Sequence, residues 1–567
     1  MLLLFLFQAP HEMTRRNVIV AFSFLLVHRW LRAYALLGFQ NSNPGLGSCC
    51  SSTADADGGE SVGGEGKPLE KSERRTVLGD VPESNGFYGV DIIRMPFDFR
   101  DDDAVEDVQN EPKGTVIIID PFCEFLGKKL SAIIRMRGYA TVEILSDYLL
   151  KGLGAEEELS HLGVPSPGDE RRWANGLPPV AGVISESDAG LGTAERLQVA
   201  LDAWCSNGIH EARRNKLEMS QVAQKCGLHT ARQRLVSSWG EARPFLEDEL
   251  GILPLNKMEG AAAEKMCVLK PVRGCSSQNV VRCSSLEEAE EAFAFLLGKQ
   301  QYGGGYIEQI LVQGFLEGQE YAVDTVSCDG QHKVVGLWKY DKRPANGAPF
   351  VYHSTQLVPA KGEVEQRVLD YVVEVLDALE IQYGPAHTEV IVTDQGPALV
   401  EVNGRWHLAD VAPLTRACVG RDAVALSADA LLPECREAFH DAGPDGVLPS
   451  ATAGEEPVRV IAYRGYPMSF QRHGMIVHLV CGVEGELERV DHLGALGALG
   501  TALAVDLFPE FAEPGARVTK TVDIKTDAGA VTLLADSLEE LERDYATILD
   551  LQKSMFVVRQ ESSGGGY

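Results

Sequence analysis

The chain has 567 residues, 45% hydrophobic and 24% charged, with 82 acidic against 52 basic side chains and a formal net charge of -30. At about 150 residues per domain this length holds three or four folded units, so the area available for a core is not limiting. The acid excess excludes nucleic acid and anionic membrane surfaces as main partners, because both need a basic footprint, and leaves open a local basic pocket for a small anion.

Up to Ala54 the only acidic side chain is Glu12, and the apolar run Val18 to Val27 follows Arg15 and Arg16. That run is too short to span a bilayer before His28, Arg29 and Arg32 interrupt it, but it has the length of a signal-peptide core. A removable presequence for an organelle or the secretory route is predicted, with the cytoplasm as the alternative and no stable membrane span in the mature protein. From Ser51 to about Lys113 the sequence is polar and Gly-rich, with the run Asp101, Asp102, Asp103, and reads as linker. Residues 1–113 are therefore leader and linker.

Folded structure is predicted to begin at TVIIIDPF, residues 115 to 122, a continuous apolar run suited to a strand buried on both faces. A helix follows with Leu126, Leu130, Ile133 and Ile134 as its inner stripe and Gly138 at its end. ATVEILSD from Ala140 and VAGVISES, residues 180 to 187, supply two more strands. Residues 114–205 thus form a small doubly wound parallel α/β domain, an architecture that hosts many chemistries.

The segment EARRNKLEMSQVAQKCGLHTARQRLVSSWGEARPFLEDEL reads as helix, turn at Gly227, short strand and helix, with Lys216 near the first helix start. MCVLKPVRGCSSQNVVRCSS, residues 266 to 285, places Lys270 at the end of an apolar strand, then a small-residue turn from Gly274 through Ser276 and Ser277, then a second strand. Backbone N–H groups and serine hydroxyls in such a turn can hold phosphate oxygens, with lysine charge beside them. A further apolar strand starts at Ile310, turns at Gly318, and continues past Glu320 with Tyr321, Val323 and Thr325 alternating as in a half-buried strand.

The stretch YGPAHTEVIVTDQGPALVEVNGRWH, residues 383 to 407, carries two alternating runs around Asp394 to Pro397, a hairpin signal. Its register puts Glu389 opposite Glu401 or Asn403, with Val390, Val392, Val400 and Val402 on the other, buried face. Carboxylates opposed on one face repel, and a hard divalent cation resolves the conflict. Oxygen-only ligands from Glu389, Glu401 and Asn403 suit Mg2+ or Mn2+ rather than zinc. Arg405 projects toward the same place, where a guanidinium can hold a phosphoryl group or acyl phosphate. His387 would face the metal and assist an amine or, the favoured reading, hydrogen-bond a carboxylate. The segment 337 to 355, rich in Trp, Tyr and charge, is either a lid over an acceptor pocket or a solvated loop. Trp406 and His407 either narrow the pocket or pack. The twelve cysteines show no CxxC and no metal-ligand spacing, and read as reduced thiols.

Taken in order, the NK of Lys216, the VLKP of Lys270, the VQGFLEGQEY hinge and the HTEV to VEVNGR hairpin resemble the ATP-grasp superfamily, in particular its carboxylate-amine ligases of the amino-acid ligase and carnosine-synthase type. The resemblance covers about residues 115 to 435, and the last hundred residues are similar to this group's C-terminal lobe. It implies an α/β and α+β architecture: the N-terminal doubly wound domain, an ATP-grasp domain over 206–435, a linker over 436–457 and a C-terminal α+β lobe over 458–560. It implies ATP as cofactor, its phosphates on Lys216 and Lys270, its adenine at Gln313, Phe315 and Leu316, its ribose at Glu320, and Mg2+ on Glu389, Glu401 and Asn403. Arg405 would stabilise the charge of phosphoryl transfer to a small carboxylate, and an amine would then attack the acyl phosphate. The partners implied are small molecules, amino acids among them, and a homodimer is left open. Ser276 and Asn279 stand where relatives often carry glycine, Gly314 where an acid is common, and Asn215 for a frequent Asp. These departures motivate an alternative, a nucleotide-binding regulatory module without turnover. A dehydrogenase is disfavoured because no GxGxxG follows the first strand, and a biotin carboxylase finds no Met-Lys-Met to support it.

Overall fold

A computed structural model of the chain describes residues 111–153, 159–257, 265–274, 279–301, 305–407, 411–441 and 466–559. The expected leader, nearly all of the first linker, most of the second, and Ser276 and Ser277 lie outside the described residues.

β1 (Thr115–Ile119) lies between β2 (Ala140–Ile144) and β3 (Val180–Ser185), both parallel to it. Val116 and Ile118 enter one core and Ile117 and Ile119 another, so the run is apolar throughout instead of alternating. α1 (Gly127–Met136) joins β1 to β2 and buries Leu130 and Ile134. Gly138 ends it at φ +84, a conformation that glycine adopts without strain. Glu186, just past β3, accepts hydrogen bonds from the N–H groups of Gly127 (2.9 Å) and Cys123 (3.1 Å), tying the start of α1 to the sheet. α2 (Leu191–Ala200) follows.

α3 (Lys216–Lys225) begins where the Asn215 side chain accepts from the N–H groups of Leu217 and Glu218, an N-cap that places Lys216 at the first helical position. The small antiparallel sheet beyond it holds β4 (Gln233–Val236), β5 (Cys267–Pro271), β6 (Val281–Cys283) and β7 (Ile310–Gly314) in the order β4-β7-β5-β6. α4 (Leu286–Leu296), capped by Ser285, packs Ala289, Phe293 and Leu296 against it.

The chain leaves this sheet at Gly318, where φ is +154 and a Cβ would stand 2.0 Å from the Val392 carbonyl oxygen, so only glycine fits. β8 (Gln319–Cys328), β9 (Gln331–Ala345), β10 (Ala348–Leu357), β11 (Gly384–Thr393) and β12 (Gly396–Asn403) then enter a second sheet. α5 (Glu363–Ala378) covers one face of it with Val368, Val372 and Leu376. α6 (Val411–Val419) and α7 (Ala423–Leu431) follow, and α7 packs Val424, Ala428 and Leu431 into the core that holds Val116.

The last part of the chain adds β13 (His473–His478), β14 (Gly485–Val490), β15 (Ala502–Leu507), β16 (Arg517–Val518), β17 (Gly529–Ala535), α8 (Leu538–Leu551) and β18 (Phe556–Val558). β13 pairs antiparallel with β10, so the lobe expected over 458–560 continues the second sheet to eight strands, β12-β11-β8-β9-β10-β13-β17-β15. Among the described residues, no helix is long and apolar enough to cross a membrane.

Three expectations change. Segment 337 to 355 is neither lid nor loop: it is the β9–β10 hairpin, with Asn346 and Gly347 at φ +52 and +84 in a two-residue turn. Asn346 Nδ2 pins the tip to the carbonyls of Cys481 and Thr521. β8, expected to be half-buried, is buried on both faces because it is interior to the sheet. Val400, expected on the core face, lines the cleft described below, because a bulge at Glu389/Val390 leaves it unpaired and gives Leu399 its core position.

Burial pushes the Glu186 carboxyl from 4.5 up to about 8, against the two N–H groups it accepts from. A carboxyl raised on folding contributes fully below its unfolded value and loses that contribution as pH rises through the folded value. Urea unfolding from pH 5 to 8 should therefore show wild type losing stability with pH relative to Glu186→Gln, which keeps an acceptor but does not titrate. A constant difference between the two would refute this.

Candidate active site

Both sheets line one open cleft of about 1230 Å³. The small sheet contributes Val268, Lys270 and Gln313, with Phe315 and Leu316 just beyond β7. Phe315 stacks on Phe350 of β10 with ring centroids 6.2 Å apart, and Arg282 stands 6.0 Å from both rings, forming a flat apolar slot with a cation at its side. Lys270 makes no ion pair among the described residues and is only 6% exposed. Burial first, and the Lys216 charge second, push its ammonium down to about 8. Lys216 reaches in from α3, donating to the Gly274 carbonyl (2.6 Å) and pairing with Glu401 (2.5 Å).

The large sheet contributes the acids. Register settles the open pairing: Glu389 lies opposite Glu401, and His387 opposite Asn403. Burial raises both glutamates, but stronger partners prevail. His387 and the Lys342 charge hold Glu389 well below the usual range, and Lys216 holds Glu401 below it. Asn403 Nδ2 donates to Glu401 Oε1 at 3.1 Å. Glu320 pairs with Lys342 at 2.6 Å, yet burial and the neighbouring Glu389 leave it raised to about 7. Arg405 pairs with Asp188, from the loop after β3, at 2.9 Å.

Behind the acids lies a buried polar cluster that sequence reasoning missed. Asp324 of β8 accepts from His387 Nδ1 (2.8 Å), Trp338 Nε1 (2.6 Å) and His407 Nδ1 (3.2 Å). His387 Nε2 meets Glu389 Oε1 at 3.2 Å, so it bridges two carboxylates, the favoured of its two expected roles. Its ring stacks on His407 at 4.1 Å, and the Tyr340 hydroxyl lies 3.2 Å from His407 Nε2. Burial lowers both imidazoles, but the two carboxylates lift His387 to about 9, while His407, beside that charged ring, stays lowered. Asp324, His387 and His407 are close enough to share an ion, yet each histidine already spends Nδ1 on Asp324. Trp406 packs, donating to Ser427 Oγ at 3.0 Å, whereas His407 lines the cleft.

Of the residues singled out from sequence, Lys216, Lys270, Gly274, Gln313, Phe315, Leu316, Glu320, Glu389, Glu401 and Arg405 all line this cleft. Asn403 lines an adjoining cavity that shares Lys216, Gly274 and Glu401 with it. Phe350 and Tyr352 were not singled out, and Tyr340 and Lys342 were read only as part of the lid or loop, though Trp338, Tyr340 and Lys342 at a spacing of two, with Asn346–Gly347 after them, carried a strand-and-turn signal.

A small sheet closing over a larger one, with buried lysines facing paired carboxylates, defines the class. Residues 263–412 match the ATP-grasp domain family. Dapdiamide A synthase of Enterobacter agglomerans is 27% identical over 329 residues, which is 56% of this chain and 74% of that protein. Among solved structures, an L-amino acid ligase from Bacillus licheniformis superposes with a TM-score of 0.53 at 19% identity, covering 80% of this chain and 100% of its own. The N5-carboxyaminoimidazole synthase of Aspergillus clavatus, solved with ADP and 5-aminoimidazole ribonucleotide, gives 0.50 at 12% identity over 79% and 100%. The two structural likenesses speak for the fold.

Asp324→Ala should destabilise the protein by about 3–5 kcal/mol, because it strands a charged imidazole and an indole N–H away from water. Denaturant unfolding measures it, and a loss comparable to a surface substitution would show that the cluster is not a charge-balancing unit.

Proposed function

We propose that the protein joins the carboxylate of one amino acid, or of a small carboxylic acid, to the amine of another, with ATP driving the reaction through an acyl phosphate. The observation that carries this reading is the convergence of Lys216 and Lys270 with Glu389 and Glu401 in a cleft whose other end is the Phe315–Phe350 slot. Adenine fits that slot with Gln313 and Leu316 at its rim, and Glu320 lies along the way toward the acids, where ribose hydroxyls would come.

Lys270 has charge to spare in a desolvated place, which suits a triphosphate. Lys216, now balanced by Glu401, would be shared with phosphate oxygens beside Gly274. The donor set of Glu389, Glu401 and Asn403 is all oxygen and fits Mg2+ or Mn2+. When bound, that ion would neutralise charge across the phosphates during transfer. Arg405, fixed by Asp188, would hold the phosphoryl group as it passes to the substrate carboxylate. The residues act by placement and charge compensation, and none need become a covalent nucleophile. The likeness to Dapdiamide A synthase supports this reading. No observation favours a module without turnover.

The test is phosphate release from ATP and Mg2+ over pairs of amino acids and small carboxylates. Glu401→Ala and Lys270→Ala should each lower release by about 100-fold or more, the effect of several kcal/mol of lost charge stabilisation. Full activity in Glu401→Ala would sink the metal assignment. ATP binding with no pair raising release would sink the ligase.

A further inference from the structure

β10 runs along the cleft from its aromatic end to its charged end. Phe350 stacks on Phe315, the Lys342 ammonium lies 4.3 Å from the Tyr352 ring centre, and Thr355 pairs with Tyr340. The Tyr340 hydroxyl touches His407, two residues past Arg405. Thr355 therefore lines the cleft at the end away from Phe315, where an acyl phosphate would form.

Behind Thr355 stands the C-terminal part of the sheet. His478 of β13 places Nε2 3.2 Å from Thr355 Oγ1, and its Nδ1 lies 2.7 Å from Asp527 Oδ2. All three are buried. Next to a carboxylate, Nδ1 carries the proton and donates, which leaves Nε2 to accept from the threonine hydroxyl. A hydroxyl, an imidazole and a carboxylate are thus joined end to end through the two different ring nitrogens, the connectivity of a proton relay. His478 also faces the Tyr352 ring at 5.5 Å and lies near His353, and Asp523 is beside Asp527.

Amide synthesis poses a requirement that the residues assigned above leave unmet. The amine arrives as an ammonium and must lose a proton before its lone pair can attack. Lys216, Lys270 and Arg405 are cations, Glu389 and Glu401 would hold the metal, Glu320 is paired with Lys342, and His387 and His407 are both tied to Asp324. We propose, resting on the ligase reading, that Thr355, His478 and Asp527 take the proton of the incoming amine. The ammonium gives its proton to Thr355 Oγ1 as the threonine proton passes to His478 Nε2, and Asp527 stabilises the imidazolium while remaining a carboxylate. The amine nitrogen then forms the bond to the acyl carbon, and the carbon–oxygen bond to phosphate breaks. Phosphate leaves with the bonding pair and takes the second amine proton, and His478 later releases the first to solvent. A pin between β10 and β13 would not need this arrangement: their backbones already pair from Ser354 to Gln356, and a buried imidazole–carboxylate pair costs desolvation.

Hydroxylamine separates the two half-reactions, because it is largely neutral near pH 7 and traps an acyl phosphate as hydroxamate without a base. In the full chain, His478→Gln, Asp527→Asn and Thr355→Val should lower amide synthesis between amino acids by about 100-fold or more. Hydroxamate formation from the same carboxylate should be unchanged in all three. Thr355→Ser should keep amide synthesis, and raising the pH should restore it in His478→Gln as more amine becomes neutral. Amide and hydroxamate falling together would reduce the trio to structure, and neither falling would remove it from the reaction; either result overturns the relay. Absence of hydroxamate from wild type with every carboxylate tried would instead sink the ligase reading and the relay with it.

Discussion

Like charge gathered on one buried sheet face is the constraint that the rest of the molecule answers. Glu401, Glu389, Glu320 and Asp324 come from three neighbouring strands and point the same way, none of them freely solvated. A buried carboxylate without a partner is among the costliest features a fold can carry, so each draws in a cation from elsewhere. Lys216 arrives from the start of α3, Lys342 from β9, and His387 from the acids' own strand. The N-terminal domain joins through Asp188 and Arg405. Docking of these elements and assembly of the site therefore rest on the same interactions.

The answer is deliberately incomplete at one position. Lys270 lies among the same charges, its ammonium pushed down by burial and then by the Lys216 charge, and among the described residues no carboxylate pairs with it. In the proposed reading a polyanion with a divalent metal would complete such a site, with Glu401 and Glu389 as ligands to the ion and Lys216 shared with phosphate.

Much of this was legible from local pattern. The continuous run of β1, the capped start of α3 and the β11–β12 hairpin follow from residue type and spacing over a few positions, and their site residues came with them. What escaped depends on distance. Asp324 looks like one more polar residue in a strand until His387, 63 residues away, and His407, 83 away, close on it. Thr355 and His478 are 123 residues apart, and His478 and Asp527 are 49 apart. No period or motif links such positions, because they meet only after β13 has paired with β10. The β9–β10 hairpin is a different kind of miss: its Asn–Gly turn was in plain view, but the charge around it drew the reading toward a loop.

The bulge at Val400 shows why pattern alone left the acids' register open. The tight turn pairs Thr393 with Gly396, and carried through the hairpin that register would set Glu389 opposite Val400 and Glu401 opposite Thr388. Glu401 would then point to the face where Val390 and Leu399 meet α5, an impossible place for a carboxylate. One unpaired residue, Val400, absorbs the difference between the register the turn demands and the register the site demands, and turns its own side chain to the cleft. The opposition of Glu389 and Glu401 is thus built into the backbone.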